Sequence, residues 1–357
     1  MVDEVTLRSG PEQLFFNNCI IGPDFRIDLN ESEIFDYEED KQLIGTGGSD
    51  RRYYRVRQGN SATVLMQCRG DDPEFIRQLE YTGFFLRQGI PVPALIQVNT
   101  DKMQALFEDA GDISLYSYLK CPRVKTERED LYQKVIDVLI QLHTRATGHV
   151  SECPLLQERI FDYKHFRWET DYFIQRFVKG IRSMTVSEED VLIDELHRLA
   201  IMADASPKRI IHRDFQSQNI MIMRERELRI IDYQGARIGP SAYDVVSLLW
   251  DPYYRLEDDM RDRLLDYYID GVTRPGGEGG DPEPAAGLSD SIDFRESLLP
   301  CRLQRHMQAL GAYGFLARVR GKKYFLKFVP EGLRLLKDDI GEVQDAYPSL
   351  YGLIRRL

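Results

Sequence analysis

The sequence predicts an α+β chain in two lobes, a small antiparallel sheet followed by a mostly helical body, and three observations carry that prediction. Between residues 41 and 107, short β-rich runs alternate with turns containing Gly and Pro. From Leu131 onward, apolar residues recur at helical spacing, beginning with Leu131, Val135, Val138, Leu139 and Leu142. The helical part is interrupted by Ile210-Ile211-His212-Arg213-Asp214-Phe215-Gln216-Ser217-Gln218-Asn219-Ile220-Met221-Ile222. Apolar strand-like ends there flank a loop of His, Arg, Asp and Asn, residues that a core does not select without a task.

A second acid follows in Leu228-Arg229-Ile230-Ile231-Asp232-Tyr233-Gln234, 18 residues after Asp214, at the end of another β-type run. Phosphoryl transfer calls for such a set. One carboxylate meets the attacking hydroxyl, while a second carboxylate and an amide oxygen hold Mg²⁺ against the nucleotide phosphates. His212-Arg213-Asp214 with Asn219 matches the catalytic-loop pattern H-R-D-x-x-x-x-N, and Asp232 stands where the aspartate of D-F-G would stand. Asp214 is therefore the candidate hydroxyl-facing carboxylate, and Asn219 and Asp232 are the candidate metal ligands. A surface loop with incidental polar residues would have to produce the pattern, the flanking strands and the spacing together.

On these residues the chain resembles the aminoglycoside phosphotransferase and choline kinase group. The run from Asp232 through Tyr243-Asp244 to Trp250-Asp251-Pro252-Tyr253 is similar to that of bacterial kinases phosphorylating N-acetylmuramate and N-acetylglucosamine at the anomeric hydroxyl. The same holds for Leu303-Gln304-Arg305-His306-Met307. The resemblance spans residues 45–330. It implies a two-lobe protein-kinase-like fold, ATP and Mg²⁺ as cofactors, a small-molecule sugar acceptor, and a cytoplasmic role in peptidoglycan recycling. Alternatives are a kinase for another acceptor (an aminoglycoside, choline or other hydroxyl compound) and a non-catalytic nucleotide-binding pseudokinase.

The elements follow in order. Residues 1–40 read as an acidic leader packed on or flanking the small lobe, with Glu31, Glu33, Asp36, Glu38, Glu39 and Asp40 close together. Residues 41–111 form the small lobe. Strands over 41–45, 53–57 and 62–68 are joined first by Thr46-Gly47-Gly48-Ser49-Asp50-Arg51-Arg52. Glycine lets backbone N–H groups approach phosphates closely, so Gly47, Gly48 and Ser49 are candidate phosphate contacts. Kinases place a lysine on the third strand, but here Met66 or Gln67 takes that place. Arg52 and Arg55 are the candidate replacements, because a guanidinium can hold two phosphate oxygens. Asp72-Pro73 opens a helix over 74–87 with Glu80 in its middle, and Gly89 and Pro91 stop it. Strands over 94–98 and 103–107 lead to a hinge at 108–112, where the backbone, Glu108 included, would meet the nucleotide base and the acids would be solvated.

Residues 112–357 form the large lobe, with His143 read as a packed or capping residue. In Phe166-Arg167-Trp168-Glu169-Thr170-Asp171-Tyr172-Phe173, helical spacing puts Glu169 with Phe173 on one face and Trp168 with Tyr172 on another. An aromatic face suits a sugar ring and a carboxylate suits its hydroxyls, so Trp168 and Glu169 are candidate acceptor residues. Core packing accounts for such aromatics as well. Ser241 and Asp244 are expected to form a capping-box variant. A flexible insertion spans about 275–290, rich in Gly and Pro. Residues 301–330 contain no Asp or Glu but carry Arg302, Arg305, Arg318, Arg320, Lys322, Lys323 and Lys327. That block, with Arg305 and His306, is expected to line the acceptor pocket and to favour an anionic group over a cationic aminoglycoside. A solvated basic helix and turn is the plainer account.

Composition narrows the field. The 357 residues suffice for two cores, and the formal net charge of −11 disfavours nucleic acid as a partner. Cys19, Cys68, Cys121, Cys153 and Cys301 are scattered, which predicts neither a disulfide framework nor a zinc site but reduced thiols. Asp3 and Glu4, with no long apolar run, predict no signal peptide, and no stretch reaches the ~20 apolar residues that span a bilayer.

Overall fold

A computed structural model describes residues 41–46, 51–59, 61–70, 72–186, 189–273 and 291–357. The acidic leader, the candidate phosphate contacts Gly47, Gly48 and Ser49, and the 275–290 insertion lie outside the described residues.

The small lobe is built on β1 (Lys41–Thr46), β2 (Arg52–Gln58), β3 (Ser61–Gln67), β4 (Leu95–Asn99) and β5 (Gln104–Glu108), in the order β1-β2-β3-β5-β4 with antiparallel neighbours. Side-chain alternation sorts the sheet into two faces. Val56, Leu65 and Leu106 form a small cluster on one. Met66, Leu95, Ala105 and Phe107 cover the other, against Phe75 and Leu79 of α1 (Pro73–Arg87). That helix starts where predicted because the Asp72 carboxylate accepts from Glu74 N at 2.9 Å and Pro73 is preset for the first turn. Its other face joins the lobes: Tyr81, Phe84 and Phe85 belong to the large-lobe core, and Phe85 packs edge-on against Tyr233 at 5.8 Å. Burying one such ring contributes about 2 kcal/mol, so α1 fixes the small lobe over the residues after Asp232.

The large lobe runs through α2 (Leu115–Leu119), α3 (Lys125–Gln141), α4 (Pro154–Gln157), α5 (Tyr163–Phe173) and α6 (Glu189–Asp204) to four short strands. These are β6 (Lys208–Ile211), β7 (Ile220–Ile222), β8 (Leu228–Ile230) and β9 (Arg237–Pro240), paired β6 with β9 and β7 with β8. Then come α7 (Ser241–Leu249), α8 (Asp258–Thr273), α9 (Ser291–Arg318), α10 (Val329–Glu342) and α11 (Pro348–Arg355). The helix expected to end near His143 continues through Leu142–Ala146 as a wider π turn. His143 is buried there with Nδ1 2.7 Å from the Tyr268 hydroxyl, and burial holds its pKa below the ordinary value.

α9 supplies Phe315 and Leu316 to the wall of the cleft between the lobes. A Cβ at Gly311 would stand 2.8 Å from Tyr172 Cδ1 and 3.2 Å from the Phe173 backbone, and one at Gly314 would collide with the Arg176 carbonyl. The two glycines let α9 lie directly on the end of α5 and the π turn over Ile174–Lys179 that follows it, and from the same helix Arg305 reaches α7 and the loop at Asp214.

Candidate active site

The loop between β6 and β7 is held from below by two buried aspartates. Asp244 Oδ2 accepts from His212 N at 2.6 Å and Oδ1 from Arg213 N at 2.9 Å. Asp251 Oδ2 accepts from Ser217 N, and Oδ1 from Tyr253 N, each at 2.9 Å. This corrects the capping-box expectation: α7 begins at Ser241, its N-cap is Pro240, and Asp244 points inward. Burial pushes the Asp251 carboxyl up to about 6. Asp214 N donates to His212 Nδ1 at 3.3 Å, so the ring proton sits on Nε2, which donates to the Ile231 carbonyl at 3.0 Å. Ile231 N in turn donates to the Asn219 carbonyl at 3.0 Å, so the two motif segments are tied together directly.

Two residues hold costly backbone conformations here, Arg213 at φ 77° and Asp232 at φ 67°. Left-handed non-glycine residues persist only where surrounding bonds over-determine them, and they gather at functional sites. Asn219 Nδ2 donates to the Asp214 carbonyl at 2.9 Å, which leaves its amide oxygen for another partner. Gln234 Nε2 donates to Asp232 Oδ1 at 2.6 Å. Burial raises the Asp232 carboxyl, the nearby Asp214 charge raises it further, and Gln234, His212 and Arg51 oppose that rise. Asn219 and Asp232 line one end of a cleft of about 620 Å³ between the lobes, with Val64, Phe107 and Met221 as an apolar slot beside them.

The roof of that cleft differs from a kinase lobe in its charges. Strand alternation puts Met66 on the cleft-side face with Val64, so Met66 and not Gln67 stands in the lysine position, fully buried against Phe75 and Leu79. Tyr53, its register partner on β2, lines the cleft, and burial holds its hydroxyl well above the ordinary value. The cleft-facing residue of α1 is Gln78, while Glu80 is half-buried elsewhere on the helix. Both members of the usual lysine–glutamate pair are thus neutral.

Neither candidate replacement cation, Arg52 or Arg55, lines the cleft. Arg52 is exposed. Arg55 is committed to the hinge, with Nε 2.5 Å and Nη2 2.9 Å from Asp109 and Nη1 2.8 Å from Asp112. Sequence reasoning passed over a third arginine, Arg51. It is buried, ion-paired with Glu74 in the first turn of α1 and 3.8 Å from Asp72, and its charge lowers the pKa of both Tyr53 and Asp232. The hinge acids are not simply solvated. The Glu108 side chain lines the cleft but is clasped by Arg229 at 2.8 Å through both carboxylate oxygens, and Oε2 also accepts from Ala94 N at 3.2 Å.

The acceptor candidates separate. Trp168 is exposed and stacked on Tyr172 with ring centroids 4.8 Å apart, as the helical spacing predicted. Glu169 lies fully buried beneath, accepting from the Tyr243 hydroxyl at 3.0 Å and 3.7 Å from Arg213, so it does not meet an acceptor directly. His306 is also fully buried, bonded to Asp339 at 2.6 Å and to the Trp250 carbonyl at 3.1 Å, and does not line the pocket. Arg305 is buried with its guanidinium 3.2 Å from Asp214 Oδ1. From the basic block, Arg320 and Lys322 do reach the cleft wall, next to Phe315.

A five-stranded lobe over a helical one, with an H-R-D-x-x-x-x-N loop facing the cleft between them, defines a kinase-like phosphotransferase. Residues 42–282 match the phosphotransferase enzyme family, and the chain belongs to that family. An N-acetylmuramate/N-acetylglucosamine kinase of Neisseria meningitidis serogroup B is 26% identical over 314 residues, covering 86% of this chain and 87% of that protein. Among solved structures, the ADP-bound aminoglycoside phosphotransferase APH(2'')-Ib superposes with a TM-score of 0.52 at 15% identity, over 87% of this chain and 94% of its own. The choline kinase LicA of Streptococcus pneumoniae gives 0.52 at 12% identity, over 84% and 93%. These two likenesses bear on the fold. Among the described residues, no helix is long and apolar enough to cross a membrane.

Proposed function

We propose that the protein is an ATP- and Mg²⁺-dependent kinase of an amino sugar, N-acetylmuramate or N-acetylglucosamine, acting at the anomeric hydroxyl. The observation that carries the reading is the floor of the cleft, where the Asp232 carboxylate and the Asn219 amide oxygen line one end with Asp214 beside them. The donor set fits Mg²⁺. Both ligands are hard oxygens, the charges of Asp232 and Asp214 repel in the absence of a cation, and Mg²⁺ takes one or two protein oxygens with phosphate and water for the rest. Among the described residues no cluster of three or more His, Cys, Asp or Glu forms a closed metal site, in keeping with an ion shared with a nucleotide. When bound, the ion would neutralise charge on the phosphates.

The remaining roles belong to the chain. The slot of Val64, Phe107 and Met221 takes the base, with the hinge backbone at residues 108–111 beside it. Gly47, Gly48 and Ser49 cover the phosphates, and Arg51 supplies the cation that Met66 cannot. Asp214 receives the acceptor hydroxyl and its proton. Two observations support an amino sugar over a cationic acceptor: the sugar-kinase relative, and Arg320 with Lys322 on the cleft wall. A like charge about 4 Å from such a cation costs roughly 1 kcal/mol even in bulk water, whereas a lactyl carboxylate gains as much. The exposed Trp168–Tyr172 pair offers a flat apolar face to a sugar ring. A cytoplasmic setting follows from ATP as donor.

The neutral pair Met66 and Gln78 favours a second reading, a nucleotide-binding pseudokinase. One experiment separates the two. With ATP, the parent protein is expected to release ADP on addition of N-acetylmuramate or N-acetylglucosamine, and not on addition of gentamicin or choline. Asp214→Ala should lower kcat by about 10²–10⁴-fold while leaving the Kd for ATP within about twofold. ADP release with choline or gentamicin alone sinks the amino-sugar assignment, and no turnover with any acceptor supports the pseudokinase.

A further inference from the structure

Arg305 comes from the middle of α9, far from the catalytic loop in sequence, and its guanidinium ends among groups on or beside that loop. Nε donates to Ser247 Oγ of α7 at 2.8 Å, Nη1 donates to Gln308 Oε1, and Nη2 donates to Gln216 Oε1 at 2.7 Å while lying 3.2 Å from Asp214 Oδ1. The Tyr243 ring closes the site, its centroid 5.8 Å from the guanidinium carbon. The side chain is 5% exposed, so the charge has been taken out of water and is compensated by the loop it touches. Asp214, in contrast, is 37% exposed. A half-exposed carboxylate on a loop samples several rotamers unless something holds it. Displacing a reacting group by about 1 Å can cost about 10²-fold in rate.

We propose that Arg305 is a positioning residue that grips Oδ1 of Asp214, and Gln216 beside it, so that Oδ2 is the oxygen presented to the acceptor hydroxyl. The inference rests on Asp214 being the hydroxyl-facing carboxylate. It departs from the expectation that Arg305 binds the acceptor: the guanidinium touches the catalytic loop, and its burial keeps it off the substrate surface. It also gives α9 a role in catalysis, because Arg305 belongs to α9 and its guanidinium reaches Gln216 and Asp214. The competing account is a staple joining α9 to α7 through Ser247, with Asp214 touched incidentally.

A double-mutant cycle distinguishes them. Arg305→Gln, Arg305→Lys and Ser247→Ala are made in the parent and in Asp214→Asn. Then kcat and both KM values are measured with ATP and whichever of N-acetylmuramate, N-acetylglucosamine, gentamicin and choline the parent phosphorylates. Arg305→Gln is expected to lower kcat by about 10²-fold with the KM for ATP within about twofold. Arg305→Lys should recover part of the loss, and Ser247→Ala should lose only a few-fold. In Asp214→Asn all three effects should shrink to about twofold or less. Equal losses in both backgrounds, or a loss confined to KM, overturn the inference and leave the Asp214 assignment standing. An Asp214→Asn protein that turns over at the parent rate overturns that assignment and the inference with it. If Arg305→Gln does not fold, Arg305→Lys and Ser247→Ala make the same comparison, and no kcat change in either counts against the proposal.

Discussion

Asn219 and Asp232 line the floor of the cleft with Asp214 near them, and each of the three is braced by neighbours on the large lobe. On the roof, Met66 stands at the position expected for a lysine, the neutral Gln78 lines the cleft, and the buried Arg51 is held by Glu74. The difference follows from how each wall is built. The floor is a loop whose backbone is bonded to buried carboxylates, so its residues cannot shift without breaking several bonds at once. The roof is made of interior strands β2 and β3 and the first turns of α1, where side chains on neighbouring positions, and not a clamped backbone, set the charge.

The largest effect should come from breaking the floor. Asp244 is fully buried and accepts from two backbone N–H groups, that of His212 in a buried bond and that of Arg213 in a part-buried one. Each donor left unsatisfied costs about 1–3 kcal/mol, so Asp244→Ala is expected to lose on the order of 3 kcal/mol in urea unfolding and to abolish turnover. A loss below about 1 kcal/mol would mean that the loop holds its shape without the aspartate, and that floor and roof do not differ as argued.

The roof is tested by two arginines with opposite expectations. Arg51→Ala should raise the KM for ATP by about 10–100-fold, the loss of one charge-assisted contact of about 1.5–3 kcal/mol. Arg55→Ala should leave that KM nearly unchanged and instead lower stability, because Arg55 is spent on Asp109 and Asp112. The reverse pattern would return the phosphate role to Arg55.

The same contrast explains what could be read from the sequence. The candidate residues of the floor were legible because they fall in two short motif runs only 18 residues apart, and the sheet and α1 were legible from alternation and from Asp72-Pro73. The clamps of Asp244 and Asp251 were not, since their partners lie 31 to 34 residues away and nothing local marks the pairing. The capping box suggested for Asp244 was the best local use for an acid at that position, and tertiary pairing overrode it. Helical spacing correctly divided Trp168 from Glu169, but spacing names a face and not what lies against it, so Glu169 was expected at an open surface when it is buried against Tyr243. The signal for Arg51 was present. Period two groups Arg51, Tyr53 and Arg55 on one face and sends Arg52 to the other, which would have removed Arg52 at once. Choosing Arg51 over Arg55 needed the hinge acids in three dimensions.

The smallest effect concerns a buried acid of the large lobe that lacks the backbone clamp enjoyed by Asp244 and Asp251. Glu169 accepts from the Tyr243 hydroxyl and has Arg213 at 3.7 Å, and burial raises its pKa from 4.5 to about 7 against both. Between those two values the folded protein keeps a proton that the unfolded chain has released. Stability contributed by this group is therefore full below pH 4.5, falls as pH rises through about 7, and is then lost. Glu169→Gln removes the titration while keeping an oxygen for Tyr243. Its Tm relative to the parent should thus rise between pH 5 and pH 8, by about 1–3 °C. An equal Tm difference at both pH values would show that Glu169 carries its charge as an exposed acid does. The large lobe would then tolerate an ionised carboxylate even where no backbone N–H groups converge on it, and the rigidity credited to the floor would have to come from packing alone.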